Sequence, residues 1–466
     1  MARRTTRRPP ASAAAERAEA APAVGIMPVQ AESSPGQPMP PAVPGGQETT
    51  GRYLVLMEPG GVAAGVQALT RRVSLRLASA RESLSDPAGH LSMSDGGGMV
   101  FEDLGVAVVS APPDQAAAIS SAVAQEKSLR VVEPERVVYA IGSGRFDLSY
   151  LRGYRDAVNH LVDGILKGET AEGPNLAAAV EETAFTWGLQ AVGVDRTRFT
   201  GRGIKVSVLD TGLDLSHPDF AGRAIQSRSF IDGVPTAQDG NGHGTHCAGI
   251  AAGPARPGKP PRFGVAPDVE LFVGKVLDDR GRGADGSILA GIQWALSNGC
   301  DIISMSLGGP ILQGQGYSAI FEQVAQRALA RGTLILAAAG NDSQRPRTVA
   351  PVSHPANCPS ILAVAAVDRA LATAWFSNGS VNTDGGSVDI AGPGVDCRST
   401  WIRPEQYKDE SGTSMATPHV AGVAALIAES DPTARGAQLH FKLVQTARRL
   451  GGSAADIGAG LIQAPR

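Results

Sequence analysis

The chain has 466 residues, with 42 Lys and Arg against 45 Asp and Glu, for a formal charge of −3. That balance gives no electrostatic reason to expect nucleic acid or an anionic membrane as partner, and no apolar run approaches the ~20 residues of a membrane span. Four cysteines (Cys247, Cys300, Cys358, Cys397) are too few and too scattered for a disulfide-stapled miniprotein or a CxxC-type zinc site.

In chain order, the N-terminus opens basic with Arg3, Arg4, Arg7 and Arg8, then turns to Ala and Pro. It lacks the apolar core of a secretory signal, which also argues against reading the paired arginines as an export signal. Residues 1–51 show no sustained apolar period. They are expected to be disordered, because they cannot bury enough surface to offset the entropy of ordering. Residues 52–140 read as a small α+β unit. A strand at 53–57 precedes a helix at 62–72, and a strand at 105–110 is entered from 99–101. A helix then starts at Pro113, where the missing N–H does no harm, and runs to Val123. Strands at 129–132 and 137–140 close the unit. Strand, helix, strand, strand, helix, strand is the order of a split βαβ, ferredoxin-like unit. Residues 141–185 read as a linker, with the apolar spacing of one amphipathic helix at 150–166.

From 186 to 466 the pattern changes. Near-continuous apolar runs at 204–209, 271–277, 301–306, 333–338 and 361–367 suit strands buried on both faces, and helical segments at 288–297 and 317–330 lie between them. Such alternation implies an α/β domain with a doubly wound, mostly parallel sheet, whose functional edge lies at the strand C-termini.

Four segments put polar groups at that edge. Val206-Ser207-Val208-Leu209-Asp210-Thr211-Gly212 is an apolar strand ending in a carboxylate. Gly242-His243-Gly244-Thr245-His246-Cys247 places an imidazole at a helix start. Gly412-Thr413-Ser414-Met415-Ala416 places a hydroxyl at another, and Ala337-Ala338-Ala339-Gly340-Asn341 runs a buried strand out into an amide. A serine hydroxyl needs a base in contact to act as a nucleophile. Histidine supplies it near neutral pH, and a carboxylate behind the ring fixes the tautomer and stabilises the imidazolium. Asp210, His243 and Ser414 could fill those three roles, and Asn341 could donate to the oxyanion with the Ser414 backbone N–H. Asp214, His217 and Asp219 read as turn and surface polar groups, and His246 and His419 as structural histidines.

Together these segments resemble the subtilisin-like serine peptidases (subtilases), and most closely the proteinase K-like branch. The order Asp, His, Ser is the one known for subtilisin. Ser411–Gly422 resembles the family's nucleophile segment, residues 240–253 its histidine segment, 206–214 its aspartate segment, and 304–309 its substrate-strand segment. The resemblance implies a subtilisin-like fold and a serine endopeptidase acting on protein or peptide substrates through an acyl-enzyme on Ser414. It also implies a monomer, needing no cofactor for the chemistry, with Asn341 as oxyanion donor. Ser306, Leu307 and Gly308 would pair with an extended substrate as an added strand. With Ala338, Ala339 and Gly340 they would wall a primary pocket whose small, neutral lining favours a large apolar side chain.

By the same resemblance residues 52–140 would be an inhibitory propeptide, the chain's own intramolecular partner, with processing near Ala140 and residues 141–185 an extra segment. Cys247 would be a free cysteine packed beneath His243, and Cys358 and Cys397 would lie near enough for a disulfide, with geometry to decide. One calcium site common in the family would be absent. A second is left open at Asp389 with the carbonyls of Pro359 and Ile361, against the plain reading of Asp389 as a strand end. Family analogy favours an extracellular enzyme, and the leader leaves a cytoplasmic one as the alternative. Two rival uses of the same residues are a peptide ligase or macrocyclase and an inactive binding scaffold.

Overall fold

A computed structural model of the chain describes residues 47–85, 97–142 and 182–466. The disorder expected of the N-terminal segment and the helix expected at 150–166 fall outside these residues, save for 47–51. Among the described residues no helix is long and apolar enough to cross a membrane.

The N-terminal unit runs β1 (Thr49–Met57), α1 (Val62–Val73), β2 (Arg76–Ser79), α2 (Ala80–Ser85), β3 (Gly97–Phe101), β4 (Val106–Ser110), α3 (Pro113–Gln125) and β5 (Leu129–Ala140). Its strands lie in the order β5-β1-β4-β3-β2. All neighbours are antiparallel except β2 and β3, which run parallel. The first four of these strands have the split βαβ arrangement expected, and β2 adds an edge that was not foreseen. The two final strands expected from the sequence are one. β5 continues through Pro134, which pairs with Tyr53 next to a register shift between Thr49 and Tyr53. A proline is tolerated at such an irregularity because its missing N–H breaks no ladder bond there.

Both faces of this small sheet are buried. On one, Val55, Met57, Ala107 and Val109 pack with Leu69, Val73, Ile119 and Ala122 of the unit's own helices. On the other, Leu54, Leu56, Met99, Phe101, Val106 and Val108 join the core of the larger domain. Period-two alternation along each strand sorts the residues between the two cores.

The larger domain follows with α4 (Trp187–Ala191), β6 (Lys205–Asp210), β7 (Ile225–Ser229), α5 (His243–Ala252), β8 (Glu270–Lys275), β9 (Arg282–Ala284), α6 (Asp285–Ser297), β10 (Ile302–Met305), β11 (Leu307–Gly308), α7 (Ala319–Ala330), β12 (Leu334–Ala338), β13 (Leu362–Val367) and β14 (Ile390–Pro393). A hairpin of β15 (Cys397–Thr400) and β16 (Tyr407–Glu410) leads into α8 (Thr413–Ser430), α9 (Gly436–Thr446) and α10 (Ala454–Ile457). The main sheet has the order β14-β13-β12-β10-β6-β8-β7 and is parallel throughout. The chain leaves β6 toward β8 and β7, then returns past it to β10, β12, β13 and β14. The direction therefore reverses between β6 and β10, and a doubly wound sheet opens its crevice at the carboxyl ends of the strands at that point.

The two domains meet edge to edge and carboxylate to helix. The end of β5 enters the larger domain between β9 and β11, pairing antiparallel with both. Val137, Val138 and Tyr139 lie opposite Ala284, Gly283 and Arg282, and Ala140 and Tyr139 opposite Leu307 and Gly308. Upstream, Glu135 accepts the Gly286 N–H at 2.9 Å, at the start of α6. Glu133 accepts from the Ser318 hydroxyl at 2.7 Å and from the Ile320 N–H at 3.3 Å, at the start of α7. Carboxylates in these positions satisfy free amides and face the positive ends of the helix dipoles.

Candidate active site

Each polar group expected at the crevice stands on a separate element. Asp210 is the last residue of β6, His243 the first of α5, and Ser414 lies in the first turn of α8. All three are buried. The close approach of α5 to the β6 turn depends on glycine. A Cβ on Gly244 would lie 2.3 Å from the Gly212 carbonyl oxygen, so any side chain there would push the imidazole off the carboxylate.

His243 Nδ1 is 2.7 Å from Asp210 Oδ1. Burial opposes charging the ring, but the Asp210 carboxylate beside it wins, and the His243 pKa is held well above the ordinary histidine value. Its other nitrogen, Nε2, is buried without a hydrogen-bond partner among the described residues. The Ser414 hydroxyl does not bond to it. Instead it donates to the Ile141 carbonyl and lies 3.2 Å from the Ser306 carbonyl. The structure thus brings Asp210 and His243 into contact, while Ser414 is engaged by the residue that follows β5. Ile141 and Gly142, expected at the start of a linker, lie in the crevice. Ile141 N–H donates to the Ser306 carbonyl at 3.2 Å, and a Cβ on Gly142 would lie 3.9 Å from both His243 Nε2 and Asn341 Nδ2.

Asn341 accepts the Thr413 N–H and hydroxyl through Oδ1, both at 2.9 Å. This orients its Nδ2 donor away from Thr413. Gly412 marks where that donor points. A Cβ added there would meet Asn341 Nδ2 at 2.9 Å, the Ile141 carbonyl oxygen at 3.4 Å and Ser414 N at 3.6 Å. A carbonyl oxygen and two donors crowd one spot, and only glycine leaves it open. Ser306, Leu307, Gly308, Ala338, Ala339 and Gly340 are all buried nearby. The Ile141 side chain packs on this wall, with Cδ1 2.9 Å from the Cβ position of Gly308.

The sequence reading missed Asp239. It is buried, and one oxygen accepts from the Thr211 hydroxyl and the Asn241 and Gly242 N–H groups, while the other takes the Thr245 N–H and hydroxyl, all at 2.7–3.0 Å. It therefore ties the turn after Asp210 to the start of the His243 helix. The signal available was its place four residues before His243, a helix-start carboxylate. Cys247 lies beneath His243, with Sγ 3.9 Å from Nδ1 and 3.5 Å from the Ser414 carbonyl.

Some expectations need correction. All four cysteines are free. Cys358 turns to the Ser318 carbonyl and Cys397 to the Val395 carbonyl, both at 3.7 Å, so the disulfide left open for them is not formed. Asp214 and His217 are turn groups but not surface groups. Both are buried, with Asp214 accepting from Ser216 and His217 bonded to the Gln406 carbonyl. His246 and His419 hold backbone carbonyls of Lys408 and Met415, and burial lowers their pKa values to about 3 and about 4. Asp389 accepts the Ala363 N–H at 2.7 Å through one oxygen, and the other lies 3.8 Å from His440 Nε2. Burial raises its pKa to about 7. A calcium ion there would take, besides this carboxyl, the carbonyls of Pro359 and Ile361 and further oxygens to reach its about six to eight ligands, and no step below depends on that ion.

The Subtilase family model matches residues 201–460. Subtilisin BL of Lederbergia lenta is 41% identical over 281 residues, 60% of this chain and 96% of that protein. The subtilisin of Bacillus pumilus is 43% identical over 265 residues, 57% of this chain and 90% of its own. A thermostable alkaline protease of Halalkalibacterium halodurans is 37% identical over 360 residues, 74% of this chain and 93% of its own. A cold adapted subtilisin-like serine proteinase of solved structure is 31% identical, covering 60% of this chain and 97% of that one, with a TM-score of 0.49. Catalysis in this family needs no cofactor. With a parallel α/β sheet, an Asp–His pair and a serine at one crevice, and a family match across most of the larger domain, the chain belongs to the subtilase family and is a serine-type endopeptidase.

Proposed function

We propose that this endopeptidase is made as a zymogen, with Asp210, His243 and Ser414 as its triad, Asn341 as oxyanion donor and residues 52–140 as an inhibitory propeptide. Ile141 would be the residue first cut after. The observation that carries this reading is the Ile141 carbonyl, which receives the Ser414 hydroxyl at the end of a strand held as a substrate would be, antiparallel between β9 and β11. Main-chain pairing of that kind fixes the peptide and leaves side-chain pockets to choose among sequences.

From this arrangement the chemistry follows. As Ser414 Oγ attacks the carbonyl carbon, its proton passes to the unpartnered His243 Nε2, and Asp210 stabilises the imidazolium through Nδ1–H. The oxygen that gains charge shares the space beside Gly412 with Asn341 Nδ2 and Ser414 N, the two donors it would take as it becomes an oxyanion. Nε2 returns the proton to the leaving Gly142 nitrogen, leaving Ile141 as an acyl group on Ser414, and water deprotonated by the same nitrogen releases it. The Ile141 side chain against Gly308 supports an apolar preference in the primary pocket. Cys247 beneath His243 supports a nearer kinship with the proteinase K-like branch, although the relatives named above include subtilisins.

Maturation tests the reading directly. The first new N-terminus should be Gly142, while Ser414→Ala should leave the chain uncut and unlabelled by a fluorophosphonate. A first cut at another bond would defeat the assignment. Asn341→Ala should lower kcat by about 10²–10³-fold with KM little changed, because its bond strengthens only in the transition state; equal effects on both constants would count against it. Asp239→Asn, which disturbs the tether between Asp210 and His243, should lower kcat by up to about 10²-fold, and unaltered turnover would dismiss a positioning role. Only neutral His243 can take the serine proton. Since its pKa is raised, kcat/KM should climb with pH along a limb centred above the ordinary histidine value of about 6.5. A limb at or below that value would contradict the Asp210 contact.

A further inference from the structure

The crevice has a second carboxylate–imidazole pair, far along the bound strand from Ser414. Asp285 follows β9 directly, and His354 is joined by backbone hydrogen bonds to Gly309, just past β11. The two side chains therefore meet from opposite rails of the groove. His354 Nε2 is 2.9 Å from Asp285 Oδ1, and both residues are buried, at 1% and 0% exposure. The other carboxylate oxygen faces the bound strand. It accepts the Arg136 N–H at 3.0 Å and lies 3.6 Å from Arg136 Nη1. Counting back from Ile141 as the first residue, Arg136 is the sixth.

Two observations make this more than a helix-start carboxylate. Asp285 is fully buried, and its second oxygen touches both the main chain and the cationic side chain of one residue of the seated segment. Burial opposes its charge, yet His354 and Arg136 outweigh that and hold its pKa below the ordinary carboxylate value. Arg136 also pairs with Glu133 at 3.1 Å and takes Gln47 as an acceptor at 3.3 Å, but both belong to the same N-terminal unit. A substrate from elsewhere brings neither, so Asp285 is then the fixed carboxylate facing that side chain.

We propose that Asp285, oriented by His354, forms a distal subsite that selects a cationic residue six positions back from the cleaved bond. This rests on the reading above in which Ile141 occupies the primary pocket. The pair would bind the residue's N–H in any substrate and add charge attraction when the side chain is Arg or Lys.

The test uses active enzyme from the full chain and internally quenched peptides carrying Val-Val-Tyr-Ala-Ile before the cleaved bond, with Arg, Gln or Glu as the residue preceding them. At low salt kcat/KM should fall in the order Arg, Gln, Glu, by about 5–10-fold across the series, since the attraction is charge-based and partly screened. Raising salt should compress it, and Asp285→Asn should bring the ratios close to one. Ratios are taken within each enzyme, so a general loss of activity in the variant cancels. Should the variant not fold, the wild-type series and its salt dependence still decide. A flat wild-type series, or an equal preference in Asp285→Asn, overturns the subsite while leaving cleavage after Ile intact. Cleavage at some other bond in every peptide overturns the underlying reading, and the subsite with it.

Discussion

Ser414 has one hydroxyl hydrogen, and the Ile141 and Ser306 carbonyls compete for it with His243 Nε2, the nitrogen that the proposed chemistry requires to take it. In this structure the Ile141 carbonyl holds it, and among the described residues the imidazole nitrogen is left buried and without a partner. The rest of the molecule is organised around that competition. The parallel sheet brings Asp210 and the Ser306 carbonyl to one edge, helix starts deliver His243 and Ser414 to the same place, and two short strands clamp the peptide whose carbonyl intervenes.

The clamp does not act alone. Glu133 and Glu135 sit on β5 just before it enters the groove, and each binds the start of a helix whose free amides need acceptors. Glu135 is fully buried, and burial pushes its pKa up against the pull of Arg52 at 2.5 Å. Its bond from the Gly286 N–H crosses the join between the two domains, so that bond forms only when the small unit is seated. Backbone pairing, helix-start carboxylates and the apolar face of the small sheet therefore report the same seated state.

How much of this could be read from the sequence depended on how locally each feature is encoded. Asp210 ends and Asn341 follows a near-continuous apolar strand, and His243 and Ser414 open glycine-flanked helices, so their placement at a sheet edge followed from the fold class. The doubly wound sheet was legible for the same reason, since residues 334–338 and 362–367 have no polar face to misplace. β5 was harder. Pro134 broke the pattern into two strands, because nothing local shows that the partner strand shifts register to accommodate it. The entry of Ile141 and Gly142 into the crevice depends on pairing with residues more than a hundred positions away. Asp285 and His354 are separated by 69 residues and carry no motif, so only folding reveals them as a pair. Asp239 was the near miss, a capping carboxylate whose second partner, Thr211, lies on another element.

A sheet with no wet side has a consequence once its support is cut away. Leu54, Leu56, Met99, Phe101, Val106 and Val108 are shielded only while the small unit stays docked. Severing the chain after β5 would leave that unit free to drift off, but drifting exposes a continuous oily patch to water, which favours rebinding or collapse over life as a lone soluble fragment. On the proposed zymogen reading, liberation of the enzyme would become permanent when the fragment is destroyed, and a unit that has lost the cover of one of its two faces would be easy prey for the peptidase it has just left.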